Sequence, residues 1–137
     1  MIGPDGKPTR YWAYAKSANE QVAVVDEILL QCESEGLICT GKFADFTKEL
    51  PEYIDSFREL KSVITEEDGA TVGCFDFGGK TALYVVNNDM AKRQKITLNF
   101  DKEHQLSMLA VGCNRSEKAE SYTFDLQAGA AVLVVID

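Results

Sequence analysis

The chain has 137 residues, with 14 Lys and Arg against 22 Asp and Glu, a net charge of -8, and 45% hydrophobic residues. That composition suits one folded domain with a core of its own and excludes a disordered chain. The acidic balance argues against nucleic acid and against an anionic membrane as partners, because both need clustered Lys and Arg. A single histidine, His104, restricts acid/base and metal chemistry, and no cofactor is expected.

The first residues, Met1 to Pro8, contain no apolar stretch of signal-peptide length, and no window approaches the ~20 apolar residues of a membrane-spanning helix. No membrane association is expected, and the compartment is left open between cytoplasm and export. After Pro8-Thr9, Trp12, Ala15, Ala18 with Asn19, Val22, Val25, Leu29 and Cys32 recur every three or four positions, the stripe of an amphipathic helix. Lys16, Ser17, Glu20, Asp26 and Glu27 decorate the other side, and Gly36 is placed as the helix-ending glycine. From Thr40 to Leu60, Phe43, Phe46, Leu50, Tyr53, Ile54 and Phe57 hint at helical spacing that Pro51 interrupts, which reads as a long connection.

Beyond residue 60 the period changes to two. Thr71 to Phe77 and Lys80 to Asn87 flank Gly78-Gly79, a two-residue hairpin turn whose register opposes Phe75 to Ala82, Cys74 to Leu83, Gly73 to Tyr84 and Val72 to Val85. Lys95 to Phe100 turns Ile96, Leu98 and Phe100 inward. Leu106 to Val111 follows as another strand, then Tyr122, Phe124 and Leu126 alternate, and Ala131 to Ile136 closes the chain as a Val-rich strand. The expected fold is mainly β: an antiparallel β-sandwich of about seven to eight strands preceded by one long N-terminal α-helix. The expected divisions are the helix at 1–36, a connector at 37–60 and the sandwich at 61–137.

The four cysteines, Cys32, Cys39, Cys74 and Cys113, are spaced too widely for a zinc ribbon or a C-x-x-C redox pair, and each lies in an apolar run. They read as reduced core thiols. Glu66-Glu67-Asp68, Asp76 and Asp125 are the acidic candidates for paired-carboxylate chemistry, yet they sit in turns or on polar strand faces, where solvation is the default. His104 lies in Asp101-Lys102-Glu103-His104, read as a solvated turn rather than the base of a nucleophile pair. Asn87-Asn88-Asp89 lacks the frame of a calcium loop and reads as a turn. Asn114-Arg115-Ser116 matches the glycosylation triplet by its three residues alone. Tyr11, Trp12 and Tyr14 form the densest aromatic cluster, with positions 11 and 12 directed differently from 14.

Asp5-Gly6-Lys7-Pro8-Thr9 leading into Tyr11-Trp12-Ala13-Tyr14-Ala15 and Asn19-Glu20-Gln21-Val22 resembles the entry to the last barrel helix of barrel-type, β-galactosidase-like glycoside hydrolases. Leu60 to Val63, Val72 to Phe75, Tyr84 to Asp89, Ile96 to Leu98 and Leu126 to Val134 are similar to the all-β C-terminal domain of those enzymes. The resemblance implies a non-catalytic accessory domain whose partner is an upstream catalytic barrel, with carbohydrate a further candidate partner. The family's catalytic glutamates have no match here, so no catalytic residue is assigned. Trp12, Ala15, Asn19 and Val22 are the expected barrel-facing positions. Two alternatives remain at this point, an autonomous carbohydrate-binding module using Tyr53, Tyr84 or Tyr122, and an Ig-like interaction module, which the N-terminal helix fits poorly.

Overall fold

The computed structural model of the chain describes residues 2–42, 44–66 and 69–137. It is mainly β, a curled antiparallel sheet of seven strands preceded by an N-terminal helix. The elements are α1 (Arg10–Leu29), β1 (Glu33–Cys39), a short α2 (Ala44–Thr47), β2 (Leu60–Thr65), β3 (Ala70–Phe77), β4 (Lys80–Asn87), β5 (Gln94–Ala110), β6 (Cys113–Leu126) and β7 (Ala131–Ile136). Along the sheet the order is β1-β3-β4-β7-β5-β2, with β6 also paired to β5.

β5 is what curls the sheet. Its first half pairs with β2 and with the second half of β6, and its second half pairs with β7 and with the first half of β6. The register slips between Asn99 and His104, and such a bulge bends a strand without ending it. The two halves of β5 therefore serve opposite walls of one core. That core contains Leu60, Val72, Cys74, Leu83, Val85, Ile96, Leu98, Leu106, Met108 and Val134, all nearly or wholly removed from solvent. Each such side chain contributes about 1.5–3 kcal/mol of transfer free energy.

The β3-β4 hairpin adopts the register that its Gly78-Gly79 turn dictates, including Cys74 opposite Leu83 and Phe75 opposite Ala82. Ile96, Leu98 and Phe100 face inward as their alternation requires. Three sequence expectations change. The helix does not run on to Gly36: it ends at Leu29, where the Gln31 side-chain amide and the Cys32 thiol donate to the carbonyls of Glu27 and Ile28. Those last-turn acceptors have no partner within the helix itself, so local side chains, with the Gln31 N–H on the Ile28 carbonyl, satisfy them as the chain turns. Gly36 instead lies at a bulge in β1, a strand paired with β3.

The second change is His104. It does not occupy a solvated turn between strands but sits within β5, half-buried, because the bulge lets the polar run Asp101 to Glu103 continue the strand. The third concerns the connector expected at 37–60: its first residues, 37–39, belong to β1, and the described part of the rest is tied to the sheet. Leu37 donates to the Glu52 carbonyl and accepts from Ile54, while Phe57 is buried in the main core. Phe43 lies outside the described residues.

On the outer face of the sheet a second cluster joins Val25 of α1 to Ala82, Leu133 and Val135, with Val24, Ile28, Leu29, Cys32, Phe75, Tyr84 and Leu109 packed around it. Gln21 fastens the helix further by accepting the backbone N–H of Ala131 at 3.0 Å. The four thiols are free: Cys39 and Cys74 are buried, and Cys32 and Cys113 half-buried. Burial pushes the Cys74 thiol up to about 12 and also raises that of Cys32. A thiol-specific chromogenic reagent at neutral pH is therefore expected to leave Cys39 and Cys74 unmodified in the native protein and to label all four once it is unfolded. Rapid labelling of Cys74 in the native state, read by mass spectrometry of peptides, would contradict that burial.

Candidate interaction surface

Asp76 and Asp125 are not brought together. Asp76 Oδ1 accepts from Arg58 at 2.6 Å and Oδ2 accepts the Gly79 N–H at 3.1 Å, while Glu35 shares the same guanidinium at 3.0 Å. Asp125 pairs with Arg93 at 3.4 Å. These two carboxylates lie at opposite ends of the sheet: Asp76 opposes Thr81 at one end of β4, whereas Asn87 at the other end bonds the Leu126 carbonyl beside Asp125. That separation is roughly 20 Å at the rise of a strand, against about 5–10 Å for glycoside hydrolysis by paired carboxyl groups. Glu66 is exposed, and Glu67 and Asp68 lie outside the described residues.

The Arg58 bond, followed by the Gly79 N–H, holds the Asp76 carboxyl below the usual carboxylate range. A lowered folded-state value means that the ion pair adds stability above the ordinary pKa of 3.8 and loses it as the pH falls through the lowered value. Asp76→Asn is expected to melt earlier than the parent at neutral pH, and the two curves should converge in strong acid. A gap that persists unchanged at acid pH would place the effect elsewhere.

His104 Nε2 bonds Asp101 Oδ1 at 2.6 Å, and its ring lies T-shaped to that of Phe100, so its partner is a carboxylate rather than a thiol. The bond holds the Asp101 carboxyl below its usual range. Among the described residues, no three His, Cys, Asp or Glu side chains gather as a metal site would require. Asn87, Asn88 and Asp89 serve the turn. Asp89 Oδ1 accepts the N–H groups of Ala91 and Lys92, and Asn88 bonds the Thr71 hydroxyl.

Exposed large apolar side chains are scattered over the described residues, with Leu30, Phe46 and Met90 the most exposed, and α1 carries a group of four. Tyr11, Tyr14 and Val22 are all more than half exposed, and Trp12 is 39% exposed. Trp12, Ala15 and Asn19 line one shallow groove of about 480 Å³ together with Lys16, Glu20 and Ala23. Val22 lies outside that groove. Tyr11 and Tyr14 do share a helix face, one turn apart, but their rings meet edge-on at 78°, so they still form no flat platform. The periodic stripe is thus divided: Val25, Leu29 and Cys32 meet the sheet, and the earlier positions do not.

A second, deeper cleft of about 640 Å³ opens where β6 crosses from one wall to the other. Its floor is apolar, with Met108, Phe124 and Val132, and Tyr122, Arg115 and Gln127 stand around it. Sequence reasoning missed this cleft because the first half of β6, rich in polar residues, carries no strand alternation. Of the tyrosines named from sequence, Tyr84 packs in the outer cluster, Tyr122 lies against Phe124 with centroids 4.7 Å apart, and Tyr53 bonds Asp55.

Comparison with family models, curated proteins and solved structures finds no match to this chain. No helix is long and apolar enough to cross a membrane among the described residues.

Proposed function

We propose that this chain is a non-catalytic accessory domain of a glycoside hydrolase, packing on and stabilising a catalytic barrel through the exposed half of α1. The observation that supports it most is the uncovered apolar run Tyr11, Trp12, Tyr14 and Val22 on a helix whose later turns are already committed to the sheet. Aromatic area of this kind is what an interdomain contact buries. The scattered, ion-paired carboxylates favour a supporting role over a catalytic one. Assay of this chain on chromogenic glycosides is expected to give no turnover. Robust turnover abolished by replacing a single acidic residue would overturn the reading.

The cleft beside Tyr122 favours a second reading, a carbohydrate-binding module. A volume of this size, with an apolar floor and polar groups at the mouth, is of the kind that holds small ligands. Isothermal titration against plant polysaccharides and galactans separates the two: saturable heat that Tyr122→Ala removes supports the module, and its absence leaves the packing role.

A further inference from the structure

The first half of β6 is an open sheet edge. Among the described residues this stretch pairs with β5 on one side and with no strand on the other. Asn114, Arg115, Ser116, Glu117 and Lys118 are all exposed in succession, so neither face is covered and no alternation of burial survives. An edge of this kind offers a row of free N–H and C=O groups to another strand. Charged side chains on an edge normally block indiscriminate pairing, and their order decides which partner is tolerated.

We infer that this edge pairs with the same edge of a second copy, antiparallel about a two-fold axis at Ser116. The argument comes from strand geometry and charge. A two-fold axis normal to a sheet preserves its faces, and directly opposed residues share a face, so the axis must pass through a single residue position. Centred on Arg115, Glu117 or Lys118, each such register sets a charged residue against its own copy, and like charges directly opposed are destabilising. Centred on Ser116, Arg115 of each copy faces Glu117 of the other, twice by symmetry, Asn114 faces Lys118, and Cys113 faces Ala119. Arg115 and Glu117 already point to one face, since they oppose the inward residues Met108 and Leu106 on β5 and lie 3.3 Å apart at their charged tips. Centring on Asn114 also opposes no like charges, but it sets Arg115 against Cys113 and Glu117 against Val111, so the Ser116 register is the one that pairs opposite charges. The partner is thus a second copy of this chain, and the product is one sheet continuous across both.

A single short ladder is a small interface, so association is weak and is read at high protein concentration. Sedimentation equilibrium of the parent chain at physiological ionic strength is expected to show a monomer that becomes dimer toward millimolar protein. Arg115→Glu opposes two pairs of carboxylates and weakens the dimer by about tenfold or more; Glu117→Arg does the same with two pairs of cations. The double variant Arg115→Glu/Glu117→Arg restores opposite charges and returns the constant to within about threefold of the parent. Both positions of substitution are exposed, and a thermal melt of each of the three variants separates lost pairing from lost folding. A parent chain that stays monomeric at millimolar concentration overturns the proposal. So does a dimer that the single reversals leave unchanged, or one that the double reversal fails to restore.

Discussion

Gly69→Ala is expected to destabilise the chain by about 4 kcal/mol or more, although it adds a single methyl group. Gly69 has φ +77, and a Cβ placed there would stand 1.7 Å from the Thr40 carbonyl oxygen and 2.7 Å from the Gly41 Cα. Both obstacles are backbone, which has no rotamer with which to retreat. Both backbones at the contact are fixed: the Gly69 carbonyl accepts from the Asn88 N–H and from the Gln94 side chain at 2.5 Å, and the Thr40 N–H donates to the Ala70 carbonyl at 2.9 Å. Relief of the clash therefore breaks the junction of β1 with β3. Gly112 is the control, because its φ of +71 is nearly the same yet nothing stands within 4 Å of an added Cβ. Gly112→Ala should cost only the backbone strain, about 1 kcal/mol. At about 3–5 °C per kcal/mol for a domain of this size, the two melting temperatures should differ by about 10 °C or more. Equal melting temperatures would show that the crowding around Gly69 is not real.

Asn87→Ala should cost about 3 kcal/mol or more, although it removes a polar side chain. Asn87 is fully buried at the end of β4, and its amide nitrogen donates toward the carbonyls of Lys92, Leu126 and Gln127 at 2.9 to 3.2 Å. Its oxygen accepts from the Asp89 N–H at 2.8 Å and from the Gln94 amide, itself buried. One side chain thus ties together the β4-β5 turn, the β6-β7 turn and, through Gln94, the Gly69 loop. Truncation strands several buried polar groups at once, each of which costs about 1–3 kcal/mol when left unpaired. Asn88→Ala, next in sequence but only half-buried and bonded to the Thr71 hydroxyl, should cost about 1 kcal/mol. Urea denaturation of the pair checks the contrast, and a milder effect at 87 than at 88 would refute it.

These positions show what the sequence could and could not reveal. Gly78-Gly79 fixes a register because a two-residue turn leaves the strands one way to align, and every cross-strand pair of the β3-β4 hairpin follows. The inward faces of β5 and β7 were legible for the same local reason. Asn87 reads as a turn residue, since two of its three carbonyl partners, Leu126 and Gln127, come from a distant turn that no local pattern announces. Asp101 to Glu103 reads as a break because it is polar, yet the strand passes through it at a bulge where polar side chains face water. The run Asn114 to Lys118 in β6 has no alternation because an edge strand with both faces wet has none to display. On α1 the stripe was visible, but an apolar stripe does not say which of its turns the sheet will cover. Trp12, Ala15 and Asn19 do share a groove, and Val24 and Ile28 join the sheet contact from outside the stripe.

The passage of β5 through both walls has a consequence for how the chain is made. β2 is synthesised well before its partner: Leu60 opposes Phe100, and Thr65 opposes Ile96. During elongation β2 waits as an unpaired strand carrying Leu60 and Val63 while β3 and β4, joined by their tight turn, can close at once. When β5 emerges it supplies the missing edge for β2 and the template for β6 and β7 together. The interval between Leu60 and Phe100 is therefore the period in which the nascent chain most needs protection from other chains.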